Sequence, residues 1–120
     1  MTQIRIAPIK PAIEMELLAR IDIRVGTIRG VDEVAGSSKL VKLTVDFGDH
    51  SRAILAGMKR ERQDVREIEG RQALFVLNLA PKRMAGELSE GMLLDIGYAD
   101  GITPALAVPE SPVPDGARAG

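Results

Sequence analysis

The sequence predicts an all-β domain, a five-stranded Greek-key barrel of OB type with a helix between its third and fourth strands. Three observations carry that expectation. Apolar and polar residues alternate with period two in short runs divided by turn residues. The stretch richest in helix formers, Lys59 to Ile68, follows the third such run and precedes the fourth. Four of the seven prolines lie beyond residue 103, so the chain finishes extended rather than helical. An SH3-like barrel or a small α+β domain is the rival arrangement. Three strands, a helix, then two or more strands is the OB order.

The elements follow in sequence. Pro11 to Arg20 reads as a short helix, with proline in the first turn and Ile13, Leu17 and Leu18 at helical spacing. Ile21, Ile23 and Val25 then alternate with Asp22, Arg24 and Gly26 as a first strand, in which Gly26 and Gly30 predict a bulge or a strong bend. Ala35 to Ser38 is a loop. Val41, Leu43, Val45 and Phe47 alternate with Lys42, Thr44 and Asp46, a second strand with one wet face. Gly48-Asp49 turns the chain into a third strand, Ser51 to Ala56. The helix expected at Lys59 to Ile68 has only Val65 and Ile68 as large apolar residues and is closed by Gly70, so it lies on the surface. Ala73 to Leu79 is apolar almost throughout, as a central buried strand would be. Pro81 to Glu90 reads as a loop, Met92 to Tyr98 as another strand, and Ala105 to Val108 as a short sixth. Residues 1–20 are thus a helical extension, 21–99 the barrel, and 100–120 a C-terminal extension.

Composition narrows the function. With 120 residues, 45% hydrophobic and 28% charged, the chain is one domain with enough apolar surface to bury a core. It has no cysteine, hence no disulfide framework and no thiolate metal site. One histidine, His50, excludes zinc sites that need several imidazoles, and no carboxylate spacing argues for another metal. The longest apolar run, Ala73 to Leu77, falls far short of the roughly 20 residues that span a bilayer. Charges and prolines break the stretch Ile4 to Lys10, so no secretory signal is expected and the cytosol is the expected location. Phosphate-loop, Rossmann and nucleophile-elbow patterns are absent, and Ser89 beside Glu90 does not make one. Neither catalysis nor a cofactor is expected.

The net charge of −1 does not suggest a nucleic-acid binder, but its distribution is polarised. Residues 52–83 carry eight basic groups against four acidic ones, net +4, whereas residues 84–120 carry one against six, net −5. In an OB barrel the ligand face is flanked by the loops after the first and fourth strands. Those loops hold Lys39 and the adjacent pair Lys82-Arg83, stiffened by Pro81. Lys42 on the second strand, Arg24 on the first, Arg52 on the third, and Asn78 could share that face. Ordinary solubilising charge, paired with Asp22, Asp46 and Glu90, is the alternative for each. Lys59, Arg60, Arg62 and Arg66 alternate with Glu61, Asp64 and Glu67 and read as a solvated helix face. With no Trp, one Tyr and two Phe, the chain lacks the stacking platform used to read unpaired bases along a strand. Recognition of a folded RNA by shape and phosphate remains, with Met84 available to pack on a base or ribose.

Two groups of residues give the sequence a resemblance. Ile21 to Ile28, with Lys39 to Gly48, resemble the opening of the stand-alone tRNA-binding domain family. Asn78-Leu79-Ala80-Pro81-Lys82-Arg83-Met84-Ala85-Gly86, then Ser89-Glu90-Gly91-Met92-Leu93-Leu94, resemble its signature loop. The family includes the C-terminal appendix of bacterial methionyl-tRNA synthetases, the C-terminal domain of endothelial-monocyte-activating polypeptide, and the export-chaperone branch called CsaA. The resemblance implies an OB-fold homodimer that recognises folded tRNA near its outer corner without regard to anticodon. It places Lys39, Asn78, Lys82, Arg83, Met84, Ser89, Glu90 and Met92 at or near the RNA. It implies that the segment after the barrel helps build the dimer. A synthetase, or unfolded polypeptide in the CsaA manner, are the further partners it suggests.

Overall fold

The computed structural model describes residues 4–120. One strand organises the molecule. Strand β1 (Ile23–Glu33) is long enough to serve three partners. Its first half pairs β4 (Gln72–Val76) on one edge, from Ile23 opposite Val76 to Thr27 opposite Gln72. Its second half pairs β2 (Val41–Asp46), which pairs in turn with β3 (Ser51–Ala56). The short strand β7 (Met92–Leu93) lies against β4, giving the antiparallel order β3-β2-β1-β4-β7 of a curled OB-type barrel.

The bend expected in the first strand is there. The β1–β2 register shifts between Ile28 and Gly30, which makes Arg29 a bulge and turns the strand around the core. Gly26 is needed for a second reason. A Cβ at that position would lie 2.6 Å from Val45 and 2.7 Å from the ring of Phe47. Its absence lets Phe47 reach Phe75 edge-on at 5.5 Å. Around that pair, Ile28, Leu43, Val45, Ile54 and Ile68 are fully buried.

Several elements differ from expectation, each for a local reason. The front helix α1 covers only Met15–Ala19, because Glu14 offers its N-terminus no side-chain cap. Lys59 to Ile68 is not a helix. It is an irregular turn ending in a 3-10 turn, Val65–Ile68, which starts where the Asp64 side chain accepts the Arg66 N–H. One anchor, Ile68, is buried there, too few for an amphipathic helix. The expected loop at Pro81 to Glu90 contains a hairpin, β5 (Lys82–Met84) with β6 (Glu87–Ser89). Its two-residue turn, Ala85-Gly86, has positive φ at both positions, 48° and 81°, the primed turn that suits a twisted hairpin. Alanine at such a position gives no sequence signal. The expected strand at Met92 to Tyr98 divides after β7, and β8 (Asp95–Ile96) pairs instead with β9 (Ala105–Leu106).

The chain then returns to β1. Strand β10 (Arg118–Ala119) pairs Ile23 and Arg24 on the edge that β2 does not reach. Side chains hold the returning segment. Thr27 Oγ1 donates to Asp115 at 2.6 Å, and Gln72 Nε2 donates to the Val113 carbonyl at 2.6 Å. Gly116, at φ 89°, crosses so close to the Phe47 carbonyl that a Cβ would stand 2.2 Å from it. Asp22 receives Arg24 at 2.7 Å and Arg118 at 3.4 Å, and the Arg24 hydrogen bond in particular holds its carboxyl below the ordinary aspartate range.

Two substitutions check this account. Gly26→Ala should lower stability by about 1–3 kcal/mol in urea denaturation, because the methyl has no room beside Phe47. Ala85→Asn should raise it by about 0.5 kcal/mol, because asparagine tolerates the left-handed region better than alanine. Slower amide exchange confined to β5 and β6 would be its local signature.

Candidate nucleic-acid interface

The hairpin is the most built feature on the surface. It leaves the barrel after β4 and is fixed at its base to β3 by a seam of polar groups. The Glu90 N–H donates to the Ala53 carbonyl at 2.8 Å. The Leu55 N–H donates to Ser89 Oγ at 3.0 Å, and that hydroxyl donates onward to the Gly91 carbonyl at 3.1 Å. Arg52 spans the seam, donating from Nη1 to the carbonyls of Leu77 at 2.8 Å and Glu90 at 3.2 Å. Its Nε donates to His50 Nε2 at 2.9 Å, and His50 Nδ1 meets Asp49 at 2.6 Å. Both imidazole nitrogens are therefore engaged.

From this base the hairpin leans over the outer face of β2. Lys42 Nζ meets Glu87 at 3.2 Å. Lys82 and Arg83 stand exposed, and neither has an ion-pair partner among the described residues. Arg83 donates only to the Gly86 carbonyl across the turn, at 3.3 Å. Met84 is half-buried on the face it shares with Glu87. Lys39 is exposed in the loop before β2, where its carbonyl accepts the Lys59 N–H at 3.0 Å. The Ser37 hydroxyl accepts the N–H groups of Lys39 and Leu40. The arrangement offers exposed ammonium and guanidinium groups on a hydrogen-bonded backbone, the equipment for phosphate oxygens.

The sequence-derived set therefore divides. Lys42, Lys82, Arg83 and Met84 gather at the hairpin, and Lys39 lies in the β1–β2 loop before β2. Arg24 and Asn78 belong to the other end of β1. Arg24 lies eight residues before Asp32, the partner of Lys42, a contour of about 26 Å that the bulge at Arg29 bends, and it lines a small pocket with His50, Arg52 and Leu77 at the base of the hairpin. Its guanidinium is held by Asp22 and by the Gly116 carbonyl. The Asn78 amide is taken up by Arg20 and Asp22, donating to one carbonyl at 2.6 Å and accepting from one N–H at 2.8 Å. Ser89 is buried and Glu90 half-buried in the seam, while Met92 is exposed beside it. Arg52, set down from the sequence as one more strand cation, is the bolt of that seam; nothing in its alternation separates it from a surface arginine. Among the described residues no helix is long and apolar enough to cross a membrane, and no cluster of three or more acidic or histidine side chains is placed to hold a metal.

Comparison with known proteins identifies the family. Residues 23–118 match the family described as "Putative tRNA binding domain". The methionine–tRNA ligase of Nitrosomonas europaea is 38% identical over 113 residues, covering 94% of this chain and 16% of the ligase. That of Chlorobium luteolum is 44% identical over 87 residues, covering 72% of this chain and 12% of the ligase. The chain thus spans about a sixth or less of the curated relatives it matches. Among solved structures, a MetRS-related protein from Pyrococcus horikoshii superposes with a TM-score of 0.83 at 32% identity, covering 92% of this chain and 100% of that one. The chaperone CsaA of Bacillus anthracis superposes at 0.78 with 26% identity and the same coverage. On the match across residues 23–118 and these relatives, the chain belongs to the tRNA-binding domain family.

Proposed function

We propose that the chain is a non-catalytic module that binds tRNA by its folded shape, as a homodimer in the cytoplasm, alone or beside an aminoacyl-tRNA synthetase. The observation that carries this reading is the braced hairpin holding Lys82 and Arg83 in solvent without carboxylate partners. Lys39 and Lys42 extend the cationic surface toward the β1–β2 loop, and phosphate competes with Glu87 for Lys42. Met84 and Met92 supply apolar packing against ribose or base. Ser89 and Glu90 position the hairpin, and Arg24 and Asn78 position the two ends of the chain around β1. The near absence of aromatic residues suits a surface that reads shape and phosphate rather than a run of stacked bases.

The dimer reading rests on apolar surface that one copy leaves uncovered. Ile6 is 90% and Ile9 100% exposed in the extended segment before α1, and Met15, Leu17 and Leu18 are exposed on α1 itself. Between α1, Ile21, Ile23 and β10 runs an apolar groove of about 560 Å³. The same groove favours one rival occupant, an extended polypeptide in the manner of a chaperone. Peptide binding there would survive salt, whereas phosphate recognition fades with it.

Replacing Lys82 and Arg83 together by alanine should weaken tRNA binding at least tenfold and reduce the salt slope by one to two units, roughly one per lost phosphate neighbour. The melting temperature should hardly move, since both side chains are exposed. Fluorescence anisotropy of labelled tRNA across a salt series measures all but the last. Unchanged binding would remove the hairpin from the interface. Light scattering should give a dimer at micromolar concentration for the intact chain and a monomer once residues 1–20 are deleted.

A further inference from the structure

The seam between β3 and the strand that follows the hairpin leaves a cavity of about 220 Å³. Met58, Met92 and Pro104 are among its apolar walls, and Glu61, Arg62 and Asp95 are its charged lining. The guanidinium is the unusual member. Only 13% of the Arg62 side chain is exposed, and its Nη1 is buried with no hydrogen-bond acceptor among the described residues. Glu61 Oε1 lies 3.8 Å from Nη1, and Glu67 Oε1 lies 3.6 Å from Nε, close enough to balance charge but too far to accept a hydrogen bond well. Burial holds the Glu61 carboxyl above the ordinary glutamate range; Asp95 adds to this and Arg62 opposes it. The cavity therefore has an arginine short of acceptors and two carboxylates that would gain from donors, between apolar walls.

That combination disfavours a free anion, which Glu61 and Asp95 repel. It favours a neutral, flat group with one acceptor followed by two donors. Among the nucleobases, guanine presents that edge. O6 accepts from arginine, and N1–H and N2–H₂ donate to carboxylate. We propose that this cavity binds an unpaired guanine, with Arg62 on O6 and Glu61 or Asp95 on the N1–N2 edge. The inference deepens the RNA reading above by adding one base-specific position to a surface that otherwise meets phosphate. Alternation with Glu61, Asp64 and Glu67 assigned Arg62 to a solvated helix face; in place of that helix the chain makes an irregular turn, and Arg62 lines the cavity.

The test uses mononucleotides and the intact chain. Guanosine monophosphate should shift the amide resonances of Gly57, Met58 and Leu93 saturably, and the adenine, cytosine and uracil monophosphates should not. Arg62→Met should abolish those shifts without lowering the melting temperature. It should weaken tRNA binding roughly tenfold while leaving the salt slope unchanged, the signature of a lost base interaction rather than a lost phosphate one. If Arg62→Met fails to fold, the double variant Glu61→Gln with Asp95→Asn serves, and it should erase the preference for guanine. Equal shifts from all four nucleotides, or shifts that persist in the variants, overturn the proposal. No shifts from guanosine monophosphate, with tRNA still bound, overturn it and leave the RNA reading standing. Guanine binding without tRNA binding supports the cavity and removes the RNA reading.

Discussion

A small barrel must bring its first and last edges together, and here backbone ladders alone do not do it. The sheet runs from β3 to β7, and among the described residues no strand-to-strand ladder joins the two ends. Arg52, Ser89 and Glu90 close the gap with side-chain and single backbone hydrogen bonds. Each such bond is worth about 1 kcal/mol net, and those to a guanidinium somewhat more. Because the carbonyls of Leu77 and Glu90 converge on one arginine, the start and the finish of the hairpin excursion are fixed to each other. The hairpin's position, the Lys42–Glu87 pair and the cavity beneath Met92 all follow from that closure.

The electrostatics follow a division of labour. Several cations that shape the molecule have carboxylate partners, Arg24 with Asp22, Arg29 with Asp46 and Asp115, Lys59 with Glu33, and Arg52 donates to carbonyls instead. Lys39, Lys82 and Arg83 lack carboxylate partners among the described residues and project from the two loops that flank an OB ligand face. A net charge of −1 conceals this, because most of the acidic excess lies beyond residue 83. Local potential, not total charge, decides what such a surface attracts.

Much of this was legible in the residues. Period-two alternation placed β1 and β2, the Gly48-Asp49 turn placed β3, a near-continuous apolar run placed β4, and Gly26 and Gly30 announced the bend. What could not be read was anything set by tertiary partners. Lys59 to Ile68 has helical propensity, yet with one buried anchor and a competing Asp64 cap it settles as a turn. Ala85 adopts a left-handed conformation that its identity does not advertise. Arg24, Arg52 and Arg62 look alike in a string of letters. Only the fold separates the clasp, the bolt and the acceptor-starved guanidinium.

The return of β10 to the front of β1 carries a kinetic consequence. Ile23 pairs with Ala119, so the most distant partners in the sheet lie at nearly opposite ends of the chain. Such pairings are costly in loop entropy and form late. Until residues 113–119 dock, the Ile23–Arg24 edge is an unprotected strand, and Thr27 and Gln72 wait for Asp115. The interval before that docking is when a nascent copy is most open to strand exchange with its neighbour.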